Sequence, residues 1–226
     1  MDADWILHRS GLPWLKLDIV VPYREIFEES IRVRDRFVTH RYRGKKANWR
    51  AVCLHGISAE KIDSPSVYGF ASERDAPYRW TDVGESCPAT KRFVESLGYA
   101  FLFRVRWMIL EPGAVVPPHR DYPKPSLSYL NAAIRYPKGC RFIVRGEDVP
   151  FEDGMAILLD GSNEHSVRND SAEDRLHLVI HGDLASPQWK DLVERSYALS
   201  GRLDLNQRSS VPQTDGNSRL PHAPSM

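Results

Sequence analysis

Between residues 101 and 182, short apolar runs alternate with turn residues. The runs over 102–110, 114–118, 127–136, 140–145, 155–159, 164–168 and 175–181 read as β-strands. Their punctuation is Pro112-Gly113, Pro123 to Pro125, Pro137 to Gly139, Gly146 to Asp148, Asp153-Gly154 and Asn169 to Asp174. Many short strands at even spacing predict an all-β sandwich or barrel. In the last run Arg175, His177 and His181 share one parity, while Leu176, Leu178 and Ile180 share the other. Alternate strand side chains face opposite ways. The first set is therefore expected to line an interior and the second to lie under helices.

Ahead of the strands the pattern is helical in two places. Pro22 opens a stretch from Tyr23 to Phe37, with Ile26, Phe27, Ile31 and Val33 as its apolar face; proline is at home at a first helical position. Ala89 to Leu97 reads as a second helix stopped by Gly98. Residues 1–21 are mixed and could pack as a strand or arm, and 49–54 reads as a strand. Residues 56–86 show no clear period and read as a long, functional or covering loop. Pro187 to Tyr197 closes the domain as a helix. The polar stretch 200–226 is expected to be a disordered tail. A single domain over 1–199 follows, with a β core at about 101–182 and N-terminal support over 1–100.

Charge alters little in this picture. The 31 Lys and Arg residues nearly balance the 30 Asp and Glu residues, which gives no electrostatic reason to expect nucleic acid or an anionic membrane as partner. The run Arg41, Arg43, Lys45, Lys46 and Arg50 reads as a solvated loop. The three cysteines, Cys53, Cys87 and Cys140, are few and far apart, and suggest neither a disulfide framework nor a zinc ribbon. They fit a reducing compartment. The segment 1–17 lacks the apolar core of a secretory signal, and no apolar run is long enough to span a bilayer. A soluble, cytoplasmic protein is the expectation.

The chemistry concentrates in the β region. His119 and Asp121 stand at i and i+2 after a strand, so their side chains can aim at one point. His165 lies in a later strand that a closed β fold can bring alongside. Two imidazoles and one carboxylate on one side of a metal leave other positions open, the ligand set of non-haem iron(II) oxygenases. An HxD pair alone is weak, since the chain has eight histidines. What surrounds it makes it specific. Glu111-Pro112-Gly113 precedes it, Asp153-Gly154 opens the strand before Glu164-His165, and Arg175 begins the last strand.

With Cys87-Pro88 and Thr90, Pro118-His119, Tyr136-Pro137-Lys138-Gly139-Cys140, Phe151-Glu152-Asp153-Gly154 and Asn163-Glu164-His165, these residues resemble the aspartyl/asparaginyl β-hydroxylase and proline hydroxylase group of 2-oxoglutarate oxygenases over roughly 86–182. The resemblance implies a mainly β fold, a double-stranded β-helix (a cupin-like jelly roll) with a few flanking α-helices. It implies iron(II) on His119, Asp121 and His165, 2-oxoglutarate on Arg175, and consumption of O2. Some members carry glycine where this chain has Asp121. Where the β-hydroxylases place an arginine and a histidine to help hold the cosubstrate, this chain has Tyr129 and Asn131, both able to donate hydrogen bonds. The leading expectation is hydroxylation of a free amino acid or similar small polar substrate, with succinate and CO2 as coproducts. Two alternatives are a peptidyl aspartyl, asparaginyl or prolyl hydroxylase and a non-catalytic cupin-like metal- or ligand-binding protein. Among further residues, His177 is a candidate substrate contact or a satisfied core histidine. Arg104 and Arg106 could bind a substrate carboxylate, but read first as salt-bridging residues on the outer sheet. Tyr78, Arg79 and Trp80 read as packing over the barrel mouth.

Overall fold

Strand alternation decides the layers. In the computed structural model, which describes residues 2–42 and 45–208, the last strand β12 (Arg175–Asp183) lies mid-sheet. Its Leu176, Leu178 and Ile180 sink into a core shared with helices, while Val179 joins a second core between two sheets. A strand buried on both faces carries apolar residues at both parities, here Leu178, Val179 and Ile180, with Arg175 and His177 interrupting one face.

The larger sheet has eight strands. They are β1 (Trp14–Lys16), β2 (Val38–Tyr42), β3 (Lys45–Gly56), β4 (Arg79–Trp80), β5 (Phe101–Leu110), β7 (Leu127–Arg135), β10 (Ala156–Asp160) and β12, in the order β1-β10-β7-β12-β5-β3-β2 with β4 beside β3. The smaller sheet runs β6-β11-β8-β9, formed by β6 (Val115–His119), β8 (Cys140–Val144), β9 (Glu147–Asp148) and β11 (His165–Asn169). All pairings are antiparallel. The result is the expected jelly roll with few helices.

Helices α1 (Ala3–Arg9), α2 (Tyr23–Arg32), α3 (Asp82–Glu85), α4 (Pro88–Ser96) and α5 (Pro187–Arg208) complete the chain. Ile6, Ile26, Phe93, Val94, Trp189 and Val193 pack with Leu130, Leu158 and Leu178 of the larger sheet. Burying each such side chain favours folding by roughly 1.5–3 kcal/mol. One polar contact stands out in this layer. Glu29 of α2 is only 2% exposed, and its carboxylate accepts hydrogen bonds from Ala89 N at 2.6 Å, Thr90 N at 2.9 Å and Thr90 Oγ1 at 2.7 Å. It caps the first turn of α4 from another helix, where free N–H groups and the helix dipole favour an anion.

Several boundaries differ from the sequence expectation. The first long helix ends at Arg32, followed by a 3-10 turn over Arg34–Arg36. Residues 1–21 hold both a helix and a strand. The supposed basic loop is a β2–β3 hairpin, with Arg41 on β2 and Lys45, Lys46 and Arg50 on β3; Arg43 lies outside the described residues. The closing helix continues past Tyr197 to Arg208, through part of the stretch expected to be disordered; 209–226 lie outside the described residues. Among the described residues no helix is long and apolar enough to cross a membrane.

Candidate functional site

The two sheets converge on a cavity of about 410 Å³. Strands β6 and β11 pair so that His119 and His165 are direct partners in register, and their rings stand 4.3 Å apart. Asp121 follows β6, anchored by its backbone N–H on the Gly161 carbonyl at 2.8 Å. A Cβ at Gly161 would stand 3.1 Å from the rings of Tyr122 and Tyr129 and 3.2 Å from the Asp121 Cβ, so glycine is what lets that loop approach. Asp121 Oδ1 lies 3.5 Å from His119 Nε2, and Asp121 Oδ2 lies 3.5 Å from His165 Nε2. One ligand atom from each of the three residues falls within 4.8 Å of the others.

The surroundings orient these groups for a metal. His119 Nδ1–H donates to the Pro117 carbonyl at 2.8 Å, and His165 Nδ1–H donates to the Asn163 carbonyl at 3.0 Å. Both bonds fix the tautomer that leaves Nε2 bare, the arrangement metal-bound histidines adopt. Tyr129 Oη donates to Asp121 Oδ2 at 2.7 Å. Burial opposes ionisation of Asp121, but His165, the Tyr129 hydroxyl and His119 around it bring its pKa down to about 2. A carboxylate with two bare imidazole nitrogens suits iron(II) better than thiolates or oxygen alone would.

Arg175 opens β12 and is 5% exposed. Its guanidinium lies 5.6 Å from the Tyr136 ring and 5.7 Å from the Phe142 ring, while Nε and Nη2 are buried with no hydrogen-bond partner. Burial draws its pKa down only to about 10, so it carries a charge at neutral pH. A buried cation without a counter-ion is costly, and a cavity wall is where a ligand anion removes that cost. His177, two residues on, donates Nδ1–H to Asn131 Oδ1. Burial and then the Arg175 charge push its pKa well down, so it is neutral.

The structure thus brings His119, Asp121, His165, Arg175, Tyr129 and Asn131 around one cavity. Tyr129 is bonded to Asp121 and Asn131 to His177. His177 and His181 face inward as their parity predicts. Arg104 and Arg106 correct the sequence reading. They are not outer-sheet residues but line the cavity, because Val105 and Trp107, of opposite parity, are the ones under the helices. Arg104 donates to the Asp63 carbonyl and to Glu73 Oε1, each at 3.0 Å. Tyr78 donates to Glu73, and Trp80 packs edge-on against His55, as packing residues. Sequence reasoning missed Tyr122, Asp63 and Glu73. Asp63 and Glu73 belong to the aperiodic segment, which offers no parity to read, and Tyr122 follows the end of a strand.

A family model described as aspartyl/asparaginyl beta-hydroxylase matches residues 22–183. Among solved structures, a 2OG-Fe(II) oxygenase family oxidoreductase from Burkholderia pseudomallei is 14% identical, with 80% of this chain and 91% of that chain covered and a TM-score of 0.50. A prolyl hydroxylase from Trichoplax adhaerens, in complex with a hypoxia inducible factor peptide fragment, is 11% identical, with coverages of 84% and 88% and a TM-score of 0.50. These two likenesses establish the fold. No curated protein sequence matches the chain.

Proposed function

Because the chain belongs to the aspartyl/asparaginyl β-hydroxylase family of iron(II)- and 2-oxoglutarate-dependent hydroxylases, we propose that His119, Asp121 and His165 hold its iron(II). Arg175 then holds the distal carboxylate of 2-oxoglutarate, and the substrate is a free amino acid or similar small polar molecule. The observation that carries this reading is the unpaired, buried guanidinium of Arg175 in the same cavity as the three ligand side chains. A bare metal-binding module has no need of it.

When bound, iron(II) with 2-oxoglutarate supplies dioxygen activation and C–H hydroxylation, with succinate and CO2 as coproducts. The protein's part is placement and shielding. His119 and His165 present Nε2 because backbone carbonyls hold their Nδ1 protons. Tyr129 holds one oxygen of Asp121 and fixes its plane. Arg175 offers a planar fork matched to a carboxylate, a charge-assisted pair stronger than a neutral hydrogen bond. Val116, Phe142, Val167 and Val179 line the cavity with apolar surface and limit water. The cavity's modest size supports a small substrate, since it must also hold the cosubstrate.

Anaerobic titration of the iron-loaded protein should show 2-oxoglutarate binding, and admission of air should release succinate. His119→Ala should abolish succinate formation. Unchanged turnover in that variant removes His119 from the site. Stimulation by aspartyl, asparaginyl or prolyl peptides but by no free amino acid would favour a peptidyl substrate.

A further inference from the structure

A second cation, the half-buried Arg106, lines the same cavity and the metal reading leaves it without a task. Arg106 lies on β5 opposite Val179 of β12, whereas Arg175 lies opposite Leu110, so the two arginines stand at different depths. Of the five N–H donors of a guanidinium, one from Arg106 meets the Ile62 carbonyl at 2.8 Å and one meets His181 Nε2 at 3.2 Å. Both acceptors are neutral: one is a backbone carbonyl, and burial, then Arg104 and Arg106, hold the His181 pKa well down. Nε of Arg106 is buried and meets nothing. Its neighbour Arg104 differs, being paired with Glu73 at 3.0 Å. Among the described residues no carboxylate lies within ion-pair distance of Arg106. Two side chains, His181 and Tyr129, link this charge to the metal-ligand candidate Asp121. His181 stacks on Tyr129 at 4.8 Å between centroids, and Tyr129 donates to Asp121.

We propose that Arg106 is the anchor for a carboxylate of the substrate, so that the substrate is a small carboxylic acid, such as a free α-amino acid bound through its own carboxylate. The inference rests on the reading of the cavity as an oxygenase site. Two cations at separate depths serve two anions: the cosubstrate on Arg175 and the substrate on Arg106, each presented to the three metal ligands. Arg104 and Glu73 form a neutral pair beside it. The segment over 62–73 closes this end of the cavity through the Ile62 and Asp63 carbonyls and Glu73, each accepting from Arg104 or Arg106.

The test uses the iron-loaded full chain, a panel of free L-amino acids and simple carboxylic acids, and the α-amides of the same amino acids. Substrate-stimulated succinate release is followed in air, and 2-oxoglutarate binding is titrated without oxygen. At least one free acid should stimulate turnover, and its amide should not. Arg106→Gln should raise the KM for that acid about a hundredfold, the scale of losing one partner of a buried charge pair. Its affinity for 2-oxoglutarate should stay within about threefold. Arg106→Lys, which keeps the charge but not the fork, should recover part of the loss. Arg175→Gln should show the reverse pattern, with lost 2-oxoglutarate affinity. The proposal is overturned by amides that work as well as acids, by a panel in which no acid stimulates, or by an Arg106→Gln variant that loses 2-oxoglutarate as Arg175→Gln does. Failure of the oxygenase reading looks different: the wild-type protein then binds no 2-oxoglutarate at all.

Discussion

Tyr129 stands just outside the proposed set of metal ligands. Its hydroxyl is bonded to one oxygen of Asp121, and outer partners of this kind typically carry 10- to 100-fold in metal affinity. Tyr129→Phe should therefore weaken iron(II) or manganese(II) binding about tenfold while leaving the far-ultraviolet circular dichroism unchanged. Equal metal affinity in the two proteins would confine Tyr129 to packing. At this scale the sequence was legible where identity, spacing and parity spoke together. His119 and Asp121 stand two apart, and His165 and Arg175 begin strands. It was not legible where a contact depends on the third dimension. Nothing in the sequence says that the Tyr129 hydroxyl reaches Asp121 rather than a ligand, or that Gly161 is needed for the loop to approach.

At the scale of elements, α2 and α4 are joined through Glu29, whose carboxylate takes three hydrogen bonds from the start of α4. Glu29→Ala leaves those donors buried and unmet, and each such group costs roughly 1–3 kcal/mol. A lowered midpoint of thermal unfolding is the expected result, and Glu29→Gln, which keeps one acceptor, should lose less. An unchanged midpoint would mean that water replaces the carboxylate. The strands from β5 onward, apart from the two-residue β9 that was read as a turn, were readable because turn residues bracket apolar runs. Of the β2–β3 hairpin only 49–54 was readable, while β2 and the start of β3 were read as a loop. Its Arg and Lys residues hide strand propensity behind charge, and only pairing of β3 with β5 makes the stretch a strand. The aperiodic 56–86 segment takes its shape from tertiary anchors, including Arg104 and Arg106, which local pattern cannot reveal. Gly84 is one such anchor, since a Cβ there would meet the Leu54 carbonyl oxygen at 2.0 Å.

For the whole molecule, short apolar runs between turns made an all-β sandwich or barrel legible, the family resemblance implied the jelly roll, and alternation on β12 pointed to an interior on one face and helices over the other. The identity of what fills that interior follows from a few polar side chains that interrupt it. One consequence concerns how the smaller sheet keeps its shape. His119 and His165 face each other across neighbouring strands, so any ion gripping both acts as a rivet through the seam. An ion that binds only the assembled seam adds about 2.7 kcal/mol when present at a hundredfold excess over its Kd. Stripping the ion with a chelator should speed backbone amide exchange in β6 and β11 while α2 and α4 keep their protection. The hydroxylase would then be an enzyme whose catalytic ion also fastens part of its own architecture, so iron supply sets its lifetime as well as its rate.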